Sequence, residues 1–384
     1  MGIYAEYINK FNTGSSFLEL EKERKTQLQR ISTIRGRSVL VYASALNKQA
    51  DISISYEDRL SFQDQLSNIN LPEVDVILET PGGSAEIAED LVNMLRTKFS
   101  KVGMIIPGYA KSAGTIMAMS GDEILMEPSS ALGPIDAQIM QNNKRFSAHA
   151  FLEGLEKIKK EVIEKNNLNR AYIPILQNIS PADIQACENA QEFSRILVTQ
   201  WLSKYKFKYW DTHSSTGAEV TFKEKEKRAK EIATTLCNHG NWLTHARSLT
   251  LKDLREMKLQ ITDYSEQEGL CDAIRRYYTL LMRTFENTSI FKLFETPSSQ
   301  IYRHLLSEQQ IQPEKAKKAI IDFSCNKCSK EIKLQASFEK GVPLEKGSVL
   351  FPSDNIYICQ GCGTRHDLSP LRMQIESQTK KQIV

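Results

Sequence analysis

Four cysteines stand in two pairs, Cys325-Asn-Lys-Cys328 and Cys359-Gln-Gly-Cys362, with 30 residues between them. Each Cys-x-x-Cys presents two thiolates from one tight turn, and two such turns complete a tetrahedral set with no open position for catalysis. The expectation is a structural zinc held by Cys325, Cys328, Cys359 and Cys362. The interval exceeds the roughly 15–20 residues of the common pattern, which predicts an inserted hairpin around Gly341 to Gly347. Cys187, Cys237 and Cys271 are isolated, and an odd total argues against a disulfide framework. Cys237, His239 and His245 lack a fourth ligand, so no second metal site is expected there.

A second kind of chemistry is written around glycine. Leu78-Glu-Thr-Pro-Gly-Gly-Ser84 reads as a strand, a turn and a helix start. Paired glycines let a backbone approach a ligand closely, and amides at such a turn can hold developing negative charge. Ile105-Ile-Pro-Gly-Tyr-Ala-Lys-Ser-Ala-Gly-Thr115 repeats the strand-to-helix step with Ser112 at the turn. A serine there can project its hydroxyl beside the next amide, as acyl transfer requires. The plain alternative is that Ser112 only caps the helix.

The elements that must position these turns follow from periodicity. Short Val- and Ile-rich runs at Val39–Tyr42, Val74–Leu78, Val102–Ile106 and Glu123–Met126 read as buried strands. Helical patterns at Tyr56 to Ile69, Ala85 to Phe99 and Ser112 to Ser120 alternate with them, which implies βαβ units and an α/β first half. Ser16 to Arg37 reads as an amphipathic helix for packing or oligomer contact. Phe146 to about Lys208 is mainly helical, with Pro181 marking a helix start, and Lys223 to Leu236 is a charged, solvated helix. Thr250-Leu-Lys-Asp253 resembles a capping box.

The two glycine turns, together with Gly121-Asp-Glu-Ile124, Leu132-Gly-Pro-Ile-Asp-Ala-Gln138 and Thr244-His-Ala-Arg-Ser-Leu-Thr250, resemble the Clp protease/crotonase-like superfamily. Within it the chain looks most like the signal-peptide-peptidase-like branch called the serine dehydrogenase proteinase family. The resemblance spans about Ser38 to Thr262. It implies a crotonase-like ββα-superhelix core with helical extensions, Ser112 as nucleophile, and an oxyanion hole from the N–H groups of Gly83 and Ala113. The Clp proteolytic subunit places a histidine one strand after its nucleophile, whereas Leu132-Gly-Pro-Ile-Asp136 has none, so that triad is disfavoured. Signal-peptide-peptidase-like relatives use a Ser-Lys dyad in which a desolvated lysine accepts the proton. Lys157, near Phe151, Leu152 and Leu155, is the preferred base here. Lys159, Lys160, Lys165, Lys111 and His149 are the alternatives. The cysteine pairs resemble a zinc ribbon.

The chain has 384 residues, long enough for two or three domains at roughly 150 residues each. Fifty basic residues against 47 acidic ones give no support for a nucleic-acid partner from charge, without excluding one. No apolar run approaches the roughly 18 residues of a membrane span, and no signal-peptide block is visible, so a soluble, cytoplasmic protein is expected. The expected organisation is an N-terminal helical arm (1–37), a peptidase domain (38–290), a linker (291–319) containing Pro297 and Pro313, a zinc ribbon (320–367) and a fraying polar tail (368–384). The expected function is a serine peptidase or acyl hydrolase acting on polypeptides as a homo-oligomer, with the zinc ribbon recruiting or assembling. The rival is a noncatalytic oligomeric scaffold that binds protein or nucleic acid through that ribbon.

Overall fold

The computed structural model describes residues 2–11, 16–141, 144–213, 215–305 and 317–384. They form two compact units, one of residues 37–46 and 51–268, the other of residues 1–36, 47–50 and 269–384.

The first unit is built on parallel strands. Ser38–Ser44 pairs with Glu73–Glu79, that strand with Lys101–Ile106, then Glu123–Met126, then Thr262–Asp263. The strands are short, apolar and buried on both faces, as expected of a sheet covered by crossover helices. Asp58–Ser67, Ala85–Lys98 and Ala113–Ala118 supply helices between successive strands. Parallel strands direct their carboxyl ends to one edge, where the turns after Glu79 and Ile106 lie, and open α/β sheets bind ligands at that edge. A hairpin of Gln138–Gln141 and Lys144–Ser147 then leads into the helices Ala148–Lys165 and Pro181–Trp201. Pro181 follows a Ser180–Asp183 capping box, and Thr250 and Asp253 form another.

At the opposite edge Arg37, just before the first strand, reaches two others. Its guanidinium lies 2.8 Å from Glu73, 3.1 Å from Asp75 and 3.0 Å from Glu123. Asp75 is buried and reaches so close to Gly103 that a Cβ there would meet its Oδ1 at 2.1 Å.

In the second unit, helix Phe17–Arg35 opens with a Ser16–Glu19 capping box. The buried Arg24 on it donates to both oxygens of Glu295, at 3.2 and 2.9 Å, and to Thr284 at 2.7 Å. Ile290–Glu295 and Gln300–His304 form an antiparallel hairpin.

Three boundaries differ from expectation. The N-terminal helices pack in one unit with residues 269–384 rather than as a separate arm. The expected linker contains most of the Ile290–His304 hairpin, with Pro297 in its turn, while Pro313 lies outside the described residues. The polar tail is ordered: Ser369–Thr379 is a helix in which the buried Glu376 accepts from the backbone N–H of Phe17 at 2.7 Å and of Ile383 at 2.9 Å. Those partners lie far away in sequence or beyond the helix, so composition alone concealed them.

Replacing Arg37 with methionine should lower the unfolding free energy by about 3–5 kcal/mol, because it removes the guanidinium that the buried Asp75 carboxylate faces at 3.1 Å. Equilibrium denaturation in urea reads this directly, and a loss under about 1 kcal/mol would show that the network contributes little.

Candidate active site and four-cysteine centre

Ser112 occupies the N-cap position of Ala113–Ala118 with φ 52° and ψ −119°, and its side chain makes no cap hydrogen bond. By contrast, Ser84 and Ser147 cap their helices in extended conformations, accepting from Ile87 and Ala150. A non-glycine residue at positive φ costs of order 1–3 kcal/mol and persists only where its surroundings impose it. The imposing surface is the Gly82-Gly83 turn. A Cβ on Gly82, at φ 101°, would lie 2.6 Å from Ser112 Cβ; one on Gly83, at φ 152°, would lie 2.4 Å from the backbone of Ile54. Ile54 donates to Gly82 O at 2.8 Å and accepts from Ser84 N at 2.9 Å, so the strand-like pairing skips the Gly83 N–H. Among the described residues no hydrogen bond engages the N–H of Gly83 or of Ala113, nor the hydroxyl of Ser112.

A cavity of about 200 Å³ opens beside these groups, lined among others by Gly83, Ser112, Ala113, Ile135, Asp136 and Phe193. Asp136 is buried there, and each oxygen meets an imidazole: Oδ1 lies 2.7 Å from His245 Nδ1 and Oδ2 lies 2.9 Å from His239 Nδ1. Burial pushes the Asp136 carboxyl up, but the hydrogen bonds from His245, Ser147 and His239 outweigh it and hold the group below its usual range.

The lysines arrange differently from expectation. Lys157 is not desolvated: its side chain is 72% exposed and paired with Glu153 at 2.9 Å. The reason is angular, since residues two apart on a helix do not share a face, and Lys157 turns away from the half-buried Leu155. Lys159 and Lys165 are likewise exposed and paired with Glu156 and Glu161, and Lys160 is exposed. His149 sits 4.0 Å from Glu153. Lys111 is the lysine beside the site, its ammonium 2.8 Å from Ser248 Oγ, 3.0 Å from Arg247 O and 3.4 Å from Ala246 O. Burial lowers its pKa to about 8. The Asp136 cluster is hidden from sequence reasoning because His239 and His245 stand close to Cys237 in the chain, a thiol buried at the end of the helix Phe222–Cys237, while their carboxylate partner lies more than a hundred residues earlier. The available signal was Asp136 itself, a carboxylate inside the apolar stretch Leu132 to Ala137.

The four paired cysteines converge in the other unit. Cys325 and Cys328 occupy the turn between antiparallel strands Lys318–Ser324 and Glu331–Ser337; Cys359 and Cys362 occupy that between Ile356–Ile358 and Arg365–Asp367. The knuckles repeat one design. Ser329 N donates to Cys325 O at 2.8 Å and Gly363 N to Cys359 O at 2.8 Å, with positive φ at both Ser329 and Gly363. All four Sγ atoms lie within 4.8 Å of one another, with Cys325–Cys362 and Cys328–Cys359 at 3.6 Å. Zn–S bonds of about 2.3 Å in a tetrahedron put sulfurs about 3.8 Å apart, so the donor set fits such an ion. The buried His366 places Nε2 3.2 Å from Cys325 Sγ, as a neighbour to a complete set. The insertion between the pairs is not a hairpin: Ser348–Leu350 returns parallel to Glu331–Ser337, with Gly341 and Gly347 at positive φ in the connection.

Part of the chain is similar to known proteins. Residues 19–197 match the family model of ClpP-like SDH-type serine proteinases. An uncharacterized protein of Methanocaldococcus jannaschii is 28% identical over 243 residues, 63% of this chain and 69% of its own length. A second from that organism is 27% identical over 188 residues, 49% of this chain and 53% of its own, so this chain spans about half of it. Among solved structures, the 1510-N membrane-bound stomatin-specific protease shows 14% identity and a TM-score of 0.32, covering 56% of this chain and 78% of that one. ClpP1 from Listeria monocytogenes shows 10% identity and a TM-score of 0.30, covering 59% and 91%. No described helix is long and apolar enough to cross a membrane. The matched residues 19–197 contain both glycine turns and Ser112 and are similar to the ClpP-like SDH-type serine proteinases, and the chain carries in addition a C-terminal four-cysteine module.

Proposed function

We propose that the chain is a serine peptidase in which Ser112 attacks the carbonyl carbon of a polypeptide substrate, while the N–H groups of Gly83 and Ala113 receive the developing oxyanion. The observation that carries this reading is Ser112 held at φ 52° with an uncapped hydroxyl beside a cavity. An ordinary N-cap serine would be extended and bonded to the helix. A scaffold would gain nothing from the strain. Removing one oxyanion donor typically costs about 10²–10³ in rate.

The Ser-Lys version of this mechanism assigns the base to Lys157, which would need a desolvation that its exposed side chain lacks within this chain. The four cysteines would hold zinc, which when bound cross-links the two knuckles and stabilises a module with a small core. A homo-oligomer is in keeping with the exposed apolar side chains Met140, Ile163 and Ile175.

Three measurements test these assignments. A fluorophosphonate probe should label the wild-type chain at Ser112 and leave Ser112→Ala unlabelled; equal labelling of both would reject the nucleophile. Elemental analysis of protein purified without chelator should give one zinc per chain, and Cys359→Ser should lose it. Metal-free protein with a folded C-terminal module would refute the zinc. Light scattering at micromolar concentration should return a multiple of the single-chain mass, and a monomer would remove the oligomer reading.

A further inference from the structure

The cavity beside Ser112 does not end at the serine. Glu86, Ala190 and Phe193 on its wall also line a second groove of about 550 Å³, which reaches Ala186, Asn189 and Ile196. Ile196 in turn lines a third groove of about 460 Å³ with Thr199 and Gln200. Residues 186, 189, 190, 193, 196 and 200 recur at steps of three or four, so they share one face of the helix Pro181–Trp201. The three openings therefore form one trough along that face, within the first unit. From Ala190 to Gln200 the helix rises about 15 Å. An extended peptide covers that length with about four or five residues.

The trough changes character along its length. Beside Ser112 it carries the carboxylate of Glu86, which accepts from Ser84 Oγ at 2.7 Å. Its middle is apolar, with Phe193 half-buried and Ile196 39% exposed. Its far end is basic: Lys223, Lys227 and Lys230 line it from the helix Phe222–Cys237, together with Arg195, against the single carboxylate of Glu226 among the described lining residues. Steps of four and three put those lysines on one helix face. The other cations nearby are engaged. Lys225 donates to Lys208 O at 3.0 Å and to Asp211 at 3.2 Å, Arg228 pairs with Glu231 at 3.0 Å, and Arg195 donates to Glu192 at 2.8 Å. Lys223, Lys227 and Lys230 have no ion-pair partner among the described residues. Like charges four apart oppose a helix, and an anionic chain laid in the groove offsets that repulsion. None of the described residues lining the basic end is aromatic, which favours a peptide over a nucleic acid, because single strands are held by base stacking.

We infer that this trough carries the polypeptide substrate away from Ser112 and selects chains with acidic residues about four to five positions from the scissile bond, separated from it by apolar residues; this rests on Ser112 being the nucleophile. Glu86 repels an acidic residue beside the bond. Phe193 and Ile196 cover the apolar side chains that follow, and the lysine row pairs with the carboxylates at the far end. Ion pairs at such exposed positions are screened by salt, so the selection weakens as ionic strength rises.

The test compares internally quenched peptides cleaved by the full chain. Each has an apolar centre and, about four to five positions from it, a block of glutamates or, in the control, of glutamines, placed on the amino side in one set and on the carboxyl side in the other. On one side the glutamate peptide should show a kcat/KM about tenfold higher at low salt, and the advantage should vanish near about 0.5 M salt. Lys223→Gln/Lys227→Gln/Lys230→Gln should lose that advantage. Lys223→Glu/Lys227→Glu/Lys230→Glu should instead prefer peptides with a lysine block, a reversal that damage to the fold does not produce. Lys252→Gln, which removes an exposed cation outside the trough, should keep the wild-type preference. Where no peptide turns over, fluorescence anisotropy of the labelled peptides on Ser112→Ala reads the same ratios as dissociation constants. Equal values for glutamate and glutamine peptides, or an advantage that survives loss of the three lysines, overturn the inference while fluorophosphonate labelling at Ser112 stands. A fluorescent single-stranded oligonucleotide that the lysine variants release and the glutamate peptides fail to displace also overturns it. Absence of labelling at Ser112 in the wild type removes the nucleophile, and the substrate path with it.

Discussion

The whole site depends on the close approach of Gly82 to Ser112. With no side chain at 82, the Pro81-Gly82-Gly83 turn can approach so closely that a Cβ on Gly82 would lie 2.6 Å from Ser112 Cβ. Its neighbours repeat that tightness. A Cβ on Gly114 would meet Thr80 Cγ2 at 2.5 Å. Thr80 exchanges backbone hydrogen bonds with the other turn, donating to Tyr109 O at 2.9 Å and accepting from Lys111 N at 3.0 Å. Thr115 donates to Ala110 O at 2.7 Å and accepts from Gly133 N at 2.9 Å, which brings in the third segment, the one bearing Asp136. Ser112, the N–H groups of Gly83 and Ala113, and the Asp136 carboxylate are therefore set by backbone contacts made when the sheet folds. Donors fixed in this way need no reorganisation as charge develops.

Most of that frame was legible in the sequence because it is local. The strands announced themselves as four- and five-residue Val and Ile runs, and the two turns as glycines between a strand and a helix. What stayed hidden is what only tertiary contact creates. Asp136 and His245 are 109 residues apart, and no periodicity links them. Lys157 is near Phe151 and Leu155 in sequence but turns to solvent, where it pairs with Glu153. The C-terminal helix read as a polar tail because Glu376, a charged residue, is buried by accepting from Phe17, 359 residues away. For Asp136 and Glu376 the local signal was real and a long-range partner changed its meaning.

The four-cysteine module shows the opposite balance. Its chemistry was legible from two pairs of letters, because each knuckle is a closed local turn that repeats the same hydrogen bonds and the same positive-φ residue after its second cysteine. Only the intervening segment was misjudged. A hairpin would have left the outer edge of Glu331–Ser337 open, whereas the parallel return of Ser348–Leu350 covers it. Covering an edge removes a row of unpaired backbone groups that would otherwise template association.

The carboxylate at Asp136 also accounts for the absence of a histidine in Leu132-Gly-Pro-Ile-Asp136. A buried anion is tolerated only when its oxygens are hydrogen-bonded, and Asp136 meets this with one imidazole on each oxygen. A histidine in its place would turn the cluster around: the ring would need an acceptor from the 239–245 segment, which offers imidazoles and an indole but no carboxylate. With aspartate on the rigid turn and imidazole on the later segment, the orienting group is the one locked by the sheet. The later segment is held to the Ser112 turn by Lys111, which donates to Ala246 O, Arg247 O and Ser248 Oγ.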